Sequence, residues 1–315
     1  MVKRVLLASP RGYCAGVERA VETVEQALEL YGAPVYVRKQ IVHNAHVVRD
    51  LERRGAVFVE SEDEAPEGAT LVLSAHGVAP VVHERAAARR LTTIDAACPL
   101  VTKVHAQVKR WAEGGHTVVL IGHAGHEEVV GTMGEAPESI VLVESVDEVA
   151  ELELPAGAKL AYSTQTTLSV DETAEIVAAL KRRFPQIRGP QKEDICYATT
   201  NRQGAVKAML DEVDLLLVIG SRNSSNSNRL VEVARAAGVE SHLIDDESEI
   251  DEAWLARAET VGVTSGASAP ERLVTRVCEW FRARGVRDIA EFARVTEDVF
   301  FRLPVELRRA QSPAA

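Results

Sequence analysis

Residues 214–220 read DLLLVIG and residues 117–122 read TVVLIG, two runs in which every position between the polar start and the closing glycine is apolar. A strand with one face in water alternates; a run without alternation is buried on both faces, as strands of parallel sheets covered by helices are. Each run is preceded by a helical pattern, NRQGAVKAMLDEV in one case and VTKVHAQVKRWAEGG in the other, and each helical pattern by a cysteine, Cys196 in DICYATTNRQ and Cys98 in DAACPLVTKV. A third cysteine, Cys14 in SPRGYCAGVERA, follows the strand pattern RVLLAS and precedes the amphipathic pattern VERAVETVEQALELYG, which stops at Gly32.

Spacing extends the likeness. From the three cysteines, the next polar loop centres on His43, His126 and Ser224, at offsets of 29, 28 and 28 residues. An apolar strand followed by an acidic run begins at Val57, Val141 and His242, at offsets of 43, 43 and 46. A further strand then ends in a small polar loop, in LVLSAHG, LAYSTQTT and VGVTSGAS. One α/β unit used three times accounts for this order and puts three thiols at equivalent positions. The fold class expected is α/β, with three pseudo-equivalent α/β domains and mostly parallel sheets. The units expected are 1–97 with Cys14, 98–195 with Cys98 and 196–286 with Cys196. Residues 287–315 are left as a closing strand, read in VTEDVFFRLP, and a C-terminal tail, with RRAQSPAA frayed.

The 315 residues suffice for two or three cores, and the small aromatic share makes those cores Val, Leu, Ile and Ala. A net charge of −11 argues against nucleic acid as partner, because binding a phosphate backbone calls for clustered positive charge. There is no apolar run of membrane-spanning length, and MVKR leads directly into a strand, so a cytoplasmic protein with no membrane partner is expected. Four cysteines without close pairs point to free thiols or metal ligands rather than disulfides. Cys278 stands apart: with Leu273, Val274, Val277 and Phe281 it follows helical spacing and reads as a core thiol. The acidic clusters at 60–64 and 245–251 read as solvated helix starts.

Three thiolates held near one another require a cation to neutralise them, so their equivalent placement implies a metal centre. Structural zinc normally shows close ligand pairs and four ligands; neither is present. An iron-sulfur cubane accepts well-separated cysteines, and with three of them one iron stays open. Around such a centre the loops offer His43 and Asn44, His76, His123 and His126, Thr166 and Thr167, Ser224, Ser225 and Asn226, and Ser268. Most end or closely follow a strand, where α/β folds bind ligands, and together they resemble a cradle for a diphosphate. His105, inside a helical pattern, is read as packed or solvated. One acid, Glu128 or its neighbour Glu127, is placed to deliver a proton to a leaving hydroxyl; the spacing leaves the choice open.

The strings PRGYCAGVERA, VHN, SAHG, DAACPLVTKVH, IGHAGHEEVVGTMG, TQTTLSVDET, DICYATTNRQ, GSRNSSNSNRL and GVTSGASAP, in that order, resemble the motifs of the 4-hydroxy-3-methylbut-2-enyl diphosphate reductase (LytB/IspH) family over nearly the whole chain. The resemblance implies a trefoil of three α/β domains around a central cluster cavity, in which Cys14, Cys98 and Cys196 ligate one 4Fe-4S cluster with an open iron site. It further implies that His43, His76, His126, Ser224, Ser225, Asn226 and Ser268 bind the diphosphate, and that Glu128 and Thr166 handle protons, with Thr166 also touching substrate. The implied reaction is a two-electron reductive dehydroxylation of an allylic diphosphate to isopentenyl and dimethylallyl diphosphate, the last step of non-mevalonate isoprenoid biosynthesis, with a ferredoxin or flavodoxin as electron donor. One departure is Glu127, where many members are expected to carry proline. Two readings of other kinds compete: a hydro-lyase that uses an open iron without net electron transfer, and an iron-sulfur sensor that catalyses nothing.

Overall fold

The computed structural model describes residues 2–155 and 157–311. The apolar runs are strands: all five residues of 215–219 are buried, as are the last four of 116–121. In chain order the first third supplies β1 (Arg4–Ser9), α1 (Ala15–Tyr31), β2 (Val35–Arg38), α2 (Ala45–Arg53), β3 (Ala56–Val59), β4 (Thr70–Leu73), α3 (Pro80–Ala88) and β5 (Thr92–Asp95). The second supplies α4 (Pro99–Glu113), β6 (His116–Ile121), α5 (Glu127–Met133), β7 (Ile140–Val143), α6 (Val146–Glu151), β8 (Lys159–Thr164) and α7 (Val170–Arg183). The third supplies α8 (Tyr197–Met209), β9 (Leu215–Ile219), α9 (Ser225–Ala236), β10 (Glu240–Ile244), β11 (Thr260–Ser265), α10 (Glu271–Ala283) and β12 (Asp288–Ala293), followed by α11 (Val305–Gln311).

These strands form three parallel sheets, ordered β3-β2-β4-β5, β7-β6-β8 and β10-β9-β11-β1-β12. The repeat is visible in the order. In each sheet the strand that follows the cysteine-led helix (β2, β6, β9) is flanked by the next two strands of the chain, β3 and β4, β7 and β8, or β10 and β11. Beside the later of those two (β4, β8 or β11) runs the chain leading to a cysteine: β5 ahead of Cys98, a bridge from Arg188 to Ala161 ahead of Cys196, and β1 ahead of Cys14. The strand with which the sequence opens is therefore paired in the last sheet, in register from Arg4↔Thr260 to Leu7↔Val263 on one side and from Arg4↔Asp288 to Ser9↔Ala293 on the other.

The chain divides into two compact units. One comprises Met1–Val17, His43–Val48 and Tyr197–Phe300 and holds the five-stranded sheet; the other comprises Glu18–Val42, Arg49–Cys196 and Phe301–Ala315 and holds the other two. In the first, Val5, Leu7, Leu217 and Val263 pack with Leu273, Val277 and Phe281 of α10 on one face of the sheet. Leu6, Ala8, Leu216 and Val218 pack with Met209 of α8 and Leu230 of α9 on the other. Cys278 belongs to the α10 side and is 4% exposed, the core thiol its spacing predicts. In the second unit β6 is covered in the same two-sided way, Val119 and Ile121 by α7 and Val118 and Leu120 by α4 and α5. Each such Leu, Val or Ile contributes about 1.5–3 kcal/mol by leaving water.

Three local expectations change. The closing strand is Asp288–Ala293, not VTEDVFFRLP: the free edge of β1 pairs with the earlier segment, while Glu297 in the later one is taken by the side chains of Asn201 and Arg202. In the tail, Val305–Gln311 is helical, and 312–315 lie outside the described residues. Of the acidic cluster at 60–64, Glu62 is fully buried and ion-paired to Arg38 at 2.8 Å, so that short helix start is not wholly solvated.

Candidate functional site

Each of the three cysteines is the residue immediately before a long helix, α1, α4 or α8. Their amides are tied down identically: Cys14 to the carbonyl of Ala267 at 3.3 Å, Cys98 to that of Ala75 at 2.9 Å and Cys196 to that of Thr166 at 3.0 Å. Every acceptor lies two residues beyond the end of β11, β4 or β8, so three loops of unlike sequence (SGAS, SAHG, TQTT) play one role. None of the three is in a disulfide, and all three are partly exposed.

A second set of contacts closes a cycle. Five residues past Cys14, Arg19 donates to the carbonyl of Ala97, just ahead of Cys98, at 2.9 Å. Five residues past Cys98, Lys103 holds the carbonyls of Lys192 and Glu193 and the Asp194 carboxylate, just ahead of Cys196, at 2.9–3.1 Å. Six residues past Cys196, Arg202 donates to the carbonyl of Gly12, just ahead of Cys14, at 2.7 Å. One cation in each helix thus fixes the approach to the next cysteine. In addition, the amide of Ala15 donates to the hydroxyl of Tyr197 at 3.1 Å, joining the residues that follow Cys14 and Cys196. Among the described residues no three His, Cys, Asp or Glu side chains form a ready site for a single metal ion.

The two candidate acids at the start of α5 part company. Glu127 faces Lys39, at 3.6 Å. Glu128 turns inward, is 2% exposed, and accepts from the Thr166 amide at 2.6 Å and the Thr166 hydroxyl at 2.9 Å. Burial pushes its carboxyl up to about 7, against the opposing effect of the two Thr166 bonds and of His105. Since the Thr166 carbonyl holds Cys196, one peptide unit separates the acid from a cysteine amide. Asn226 occupies the matching place in the third repeat: its Oδ1 accepts from Ala267, whose carbonyl holds Cys14, and its Nδ2 donates to Thr199.

His126 is the N-cap of α5, and its Nδ1 accepts the Glu128 amide at 3.1 Å, which puts the proton of the neutral ring on Nε2. His76 meets the ring of His126 edge-on with centroids 5.8 Å apart, and its Nδ1 lies 3.3 Å from Ser74 Oγ. In the other unit, His43 Nδ1 pairs with the Asn223 amide at 3.2 Å, and burial lowers the His43 imidazole to about 4, so it is neutral at pH 7. Ser224 caps α9, with Ser225 at the first helical position, and Ser268 Oγ donates to the His43 carbonyl at 2.9 Å while lying 3.5 Å from Ser224 Oγ. Of the further loop donors, Asn44 caps α2 through Oδ1, and Thr167 is bonded to Gln165. His123 faces Glu144 rather than its loop neighbours.

Two buried groups, Asp194 and Arg202, escape the sequence pattern, and a third, His105, which it leaves open between packed and solvated, is packed. Asp194, 4% exposed, accepts from Ser163, the Thr164 amide and Gln107 as well as Lys103. Arg202 is fully buried and paired to Glu297 at 3.0 Å. His105 is 8% exposed and bonded to Glu135 at 2.9 Å. Charged residues inside helical patterns look like solvated faces until the partners distant in sequence are known.

Fold and site together define an α/β protein of three parallel sheets in which one structural unit, with one helix-starting cysteine, is used three times. The chain belongs to the LytB family, whose model, described as LytB protein, matches residues 5–282. It is 62% identical over 308 residues, 98% of this chain and 91% of the relative, to the 4-hydroxy-3-methylbut-2-enyl diphosphate reductase of Acidothermus cellulolyticus. It is 60% identical, at the same coverage, to the reductase of that name from Streptomyces avermitilis. Among solved structures, the E-1-hydroxy-2-methyl-but-2-enyl-4-diphosphate reductase of Plasmodium falciparum is similar with TM-score 0.95 and 40% identity, covering 98% of each chain.

Proposed function

We propose that this protein reduces 4-hydroxy-3-methylbut-2-enyl diphosphate to isopentenyl and dimethylallyl diphosphate, removing the allylic hydroxyl as water with two electrons and two protons. The observation that carries this reading is the buried Glu128–Thr166 pair, linked through the Thr166 carbonyl to the Cys196 amide. A carboxyl poised near pH 7 beside a cysteine loop suits proton delivery to a leaving oxygen. The names of the highly identical relatives agree with it.

Cys14, Cys98 and Cys196 would hold a four-iron, four-sulfur cluster with one open iron. The donor set fits: three cysteines outside any disulfide, identical amide anchoring, a cycle of cations fixing each approach, and three helix N-termini whose dipoles suit an anionic group. When bound, the cluster supplies single electrons and an electrophilic iron. The chain's own residues do the rest. His43, with its neutral imidazole, and His76 and His126 offer ring N–H donors, and Ser224, Ser225 and Ser268 hydroxyl donors, to the diphosphate, holding the substrate by its unreactive end. Asn226 belongs to the same diphosphate-binding set and also steadies the Ala267 peptide. Glu128 gives its proton to the departing hydroxyl, and Thr166 keeps the carboxyl in place, its hydroxyl able to relay a proton by taking one up from Glu128 as it passes its own on. A ferredoxin- or flavodoxin-like protein is the electron donor this reading takes, in the cytoplasm. The three-unit division 1–97, 98–195 and 196–286, with 287–315 as closing strand and tail, belongs to the same reading.

Anaerobic holoprotein, given the allylic diphosphate and reduced methyl viologen, tests it. Expected are both five-carbon diphosphates and two electrons consumed per turnover; turnover of the allylic diphosphate to a redox-neutral product, with no reductant consumed, would make the enzyme a hydro-lyase. Failure of inorganic pyrophosphate to compete with the substrate would remove the diphosphate cradle and favour a sensor.

A further inference from the structure

Residues 43–48 belong to the unit of the five-stranded sheet, while the chain up to Val42 and from Arg49 belongs to the other unit. Six residues bury too little apolar surface to fix their own place, so the segment depends on bonds to the rest of its unit. Ser268 Oγ donates to the His43 carbonyl at 2.9 Å, and the Asn223 side-chain amide meets His43 Nδ1 at 3.2 Å. Further along, the Ala45 amide donates to Ser221 Oγ at 3.0 Å, and His46 Nε2 lies 3.1 Å from Asp246 Oδ2.

The last two bonds lead to the acidic run at 245–251, which its sequence assigns to solvent. Asp245 Oδ1 accepts from Ser221 Oγ at 2.6 Å and so orients the hydroxyl that takes the Ala45 amide. Asp246 uses Oδ1 on the amide and hydroxyl of Ser248, which leaves Oδ2 for His46. Two adjacent carboxylates just past β10 are thus taken up by the start of α2. The His46 and Asp246 side chains are only 14% and 15% exposed, so water screens their contact far less than a surface ion pair. Burial works against the Asp246 charge, but the Ser248 bonds, His46 and Arg276 of α10 together hold its carboxyl below the ordinary range. A carboxylate only accepts, so His46 Nε2 carries a proton. Between His43 and His46, the fully buried Asn44 accepts the amides of His46 and Val47 on its Oδ1, which makes 44–47 one capped turn.

We propose that His46, gripped by Asp246, is a positioning residue for the diphosphate end of the substrate: it fixes the capped turn from which His43 is presented beside Ser268 and Ser224. His46 touches no substrate and acts through His43. The inference rests on the reductase reading and deepens it at the affinity for diphosphate, not at the chemistry.

The test uses holoprotein carrying His46→Phe, which keeps a ring without a donor, or His46→Gln, which keeps an N–H of similar reach. In His46→Phe the KM for the allylic diphosphate and the calorimetric dissociation constant of inorganic pyrophosphate should each rise about tenfold, the low end for a hydrogen bond to a charged group. The kcat should stay within about twofold of wild type, as when binding alone is lost. His46→Gln should recover most of the affinity. A ring that only fills space would give the opposite order, with phenylalanine close to wild type and glutamine weak. Hydrogen exchange of the 43–48 amides reads the grip without any ligand: it should quicken in His46→Phe and not in His46→Gln, and unchanged exchange in both would overturn the proposal. Should the phenylalanine variant fail to fold, Asp246→Asn, which keeps an oxygen for Ser248 but removes the charge facing His46, should raise KM in the same way. Pyrophosphate binding by a wild type that does not reduce the allylic diphosphate would fail the reductase reading and leave this one standing. An affinity unmoved by His46→Phe would do the reverse, and a wild type that binds no pyrophosphate would remove both.

Discussion

At the scale of single residues, what matters is which way two adjacent carboxylates face. Glu127 lies beside Lys39 and Glu128 lies under Thr166 because α5 begins between His126 and Glu127, and consecutive helical positions point about 100° apart. Glu128→Gln keeps the shape and the Thr166 contacts but has no acidic proton; kcat should fall about 10²–10⁴-fold with cluster absorbance unchanged, whereas Glu127→Gln should have little effect. Acid-dependent turnover should be full below pH 7 and decline as pH rises through about 7, where the carboxyl loses its proton. The same elevation has a stability consequence. Folded protein retains a proton at pH values where the unfolded chain, with an ordinary carboxyl, has released it, so this contribution is present below about pH 4.5 and lost as pH rises through about 7. Urea denaturation at pH 5 and pH 8 should show wild type losing stability relative to Glu128→Gln; a constant difference between the two would contradict the assignment.

At the scale of elements, the helix-starting cysteine is the repeated device. A cysteine before a helix, with its amide on the loop beyond the neighbouring strand, is fixed by backbone alone, so side chains elsewhere in that loop are left for other work. Cys14→Ser, Cys98→Ser and Cys196→Ser should each leave the fold intact by circular dichroism yet abolish visible cluster absorbance, while Cys278→Ala, inside α10, should retain the cluster and lose only about 1 kcal/mol to the small cavity. A stable, active cluster in Cys98→Ser would contradict the ligand assignment.

At the scale of the whole molecule, the first strand and the last third are one structure. β1 is interior to the five-stranded sheet, and Arg202 joins α8, the Gly12 carbonyl and Glu297. Arg202→Gln leaves the half-buried Glu297 carboxylate and the Ala198 and Gly12 carbonyls short of a donor, so a loss of about 1–3 kcal/mol is expected in denaturant titrations. Because Gly12 is two residues from Cys14, faster bleaching of the cluster in air should accompany it. Normal cluster lifetime in a destabilised Arg202→Gln protein would separate the two roles of the arginine.

What the sequence determined by itself is local and periodic. Unbroken apolar runs such as 215–219, too short for a buried helix and closed by glycine, read as strands covered on both faces, and helix-strand order repeats with the cysteines at a spacing that side-chain patterning exposes directly. Cys278 was legible for the same reason, since helical periodicity alone assigns it to the core. Tertiary structure alone decided what depends on partners far apart in the chain. That β1 pairs with β11 and β12, that the closing strand ends at Ala293, that Glu128 rather than Glu127 meets Thr166, and that Arg202, Asp194 and His105 are buried polar groups are all outcomes of long-range pairing. No nearby residue encodes them, because a hydrogen bond across 190 positions, as between Arg202 and Gly12, leaves no period in the sequence.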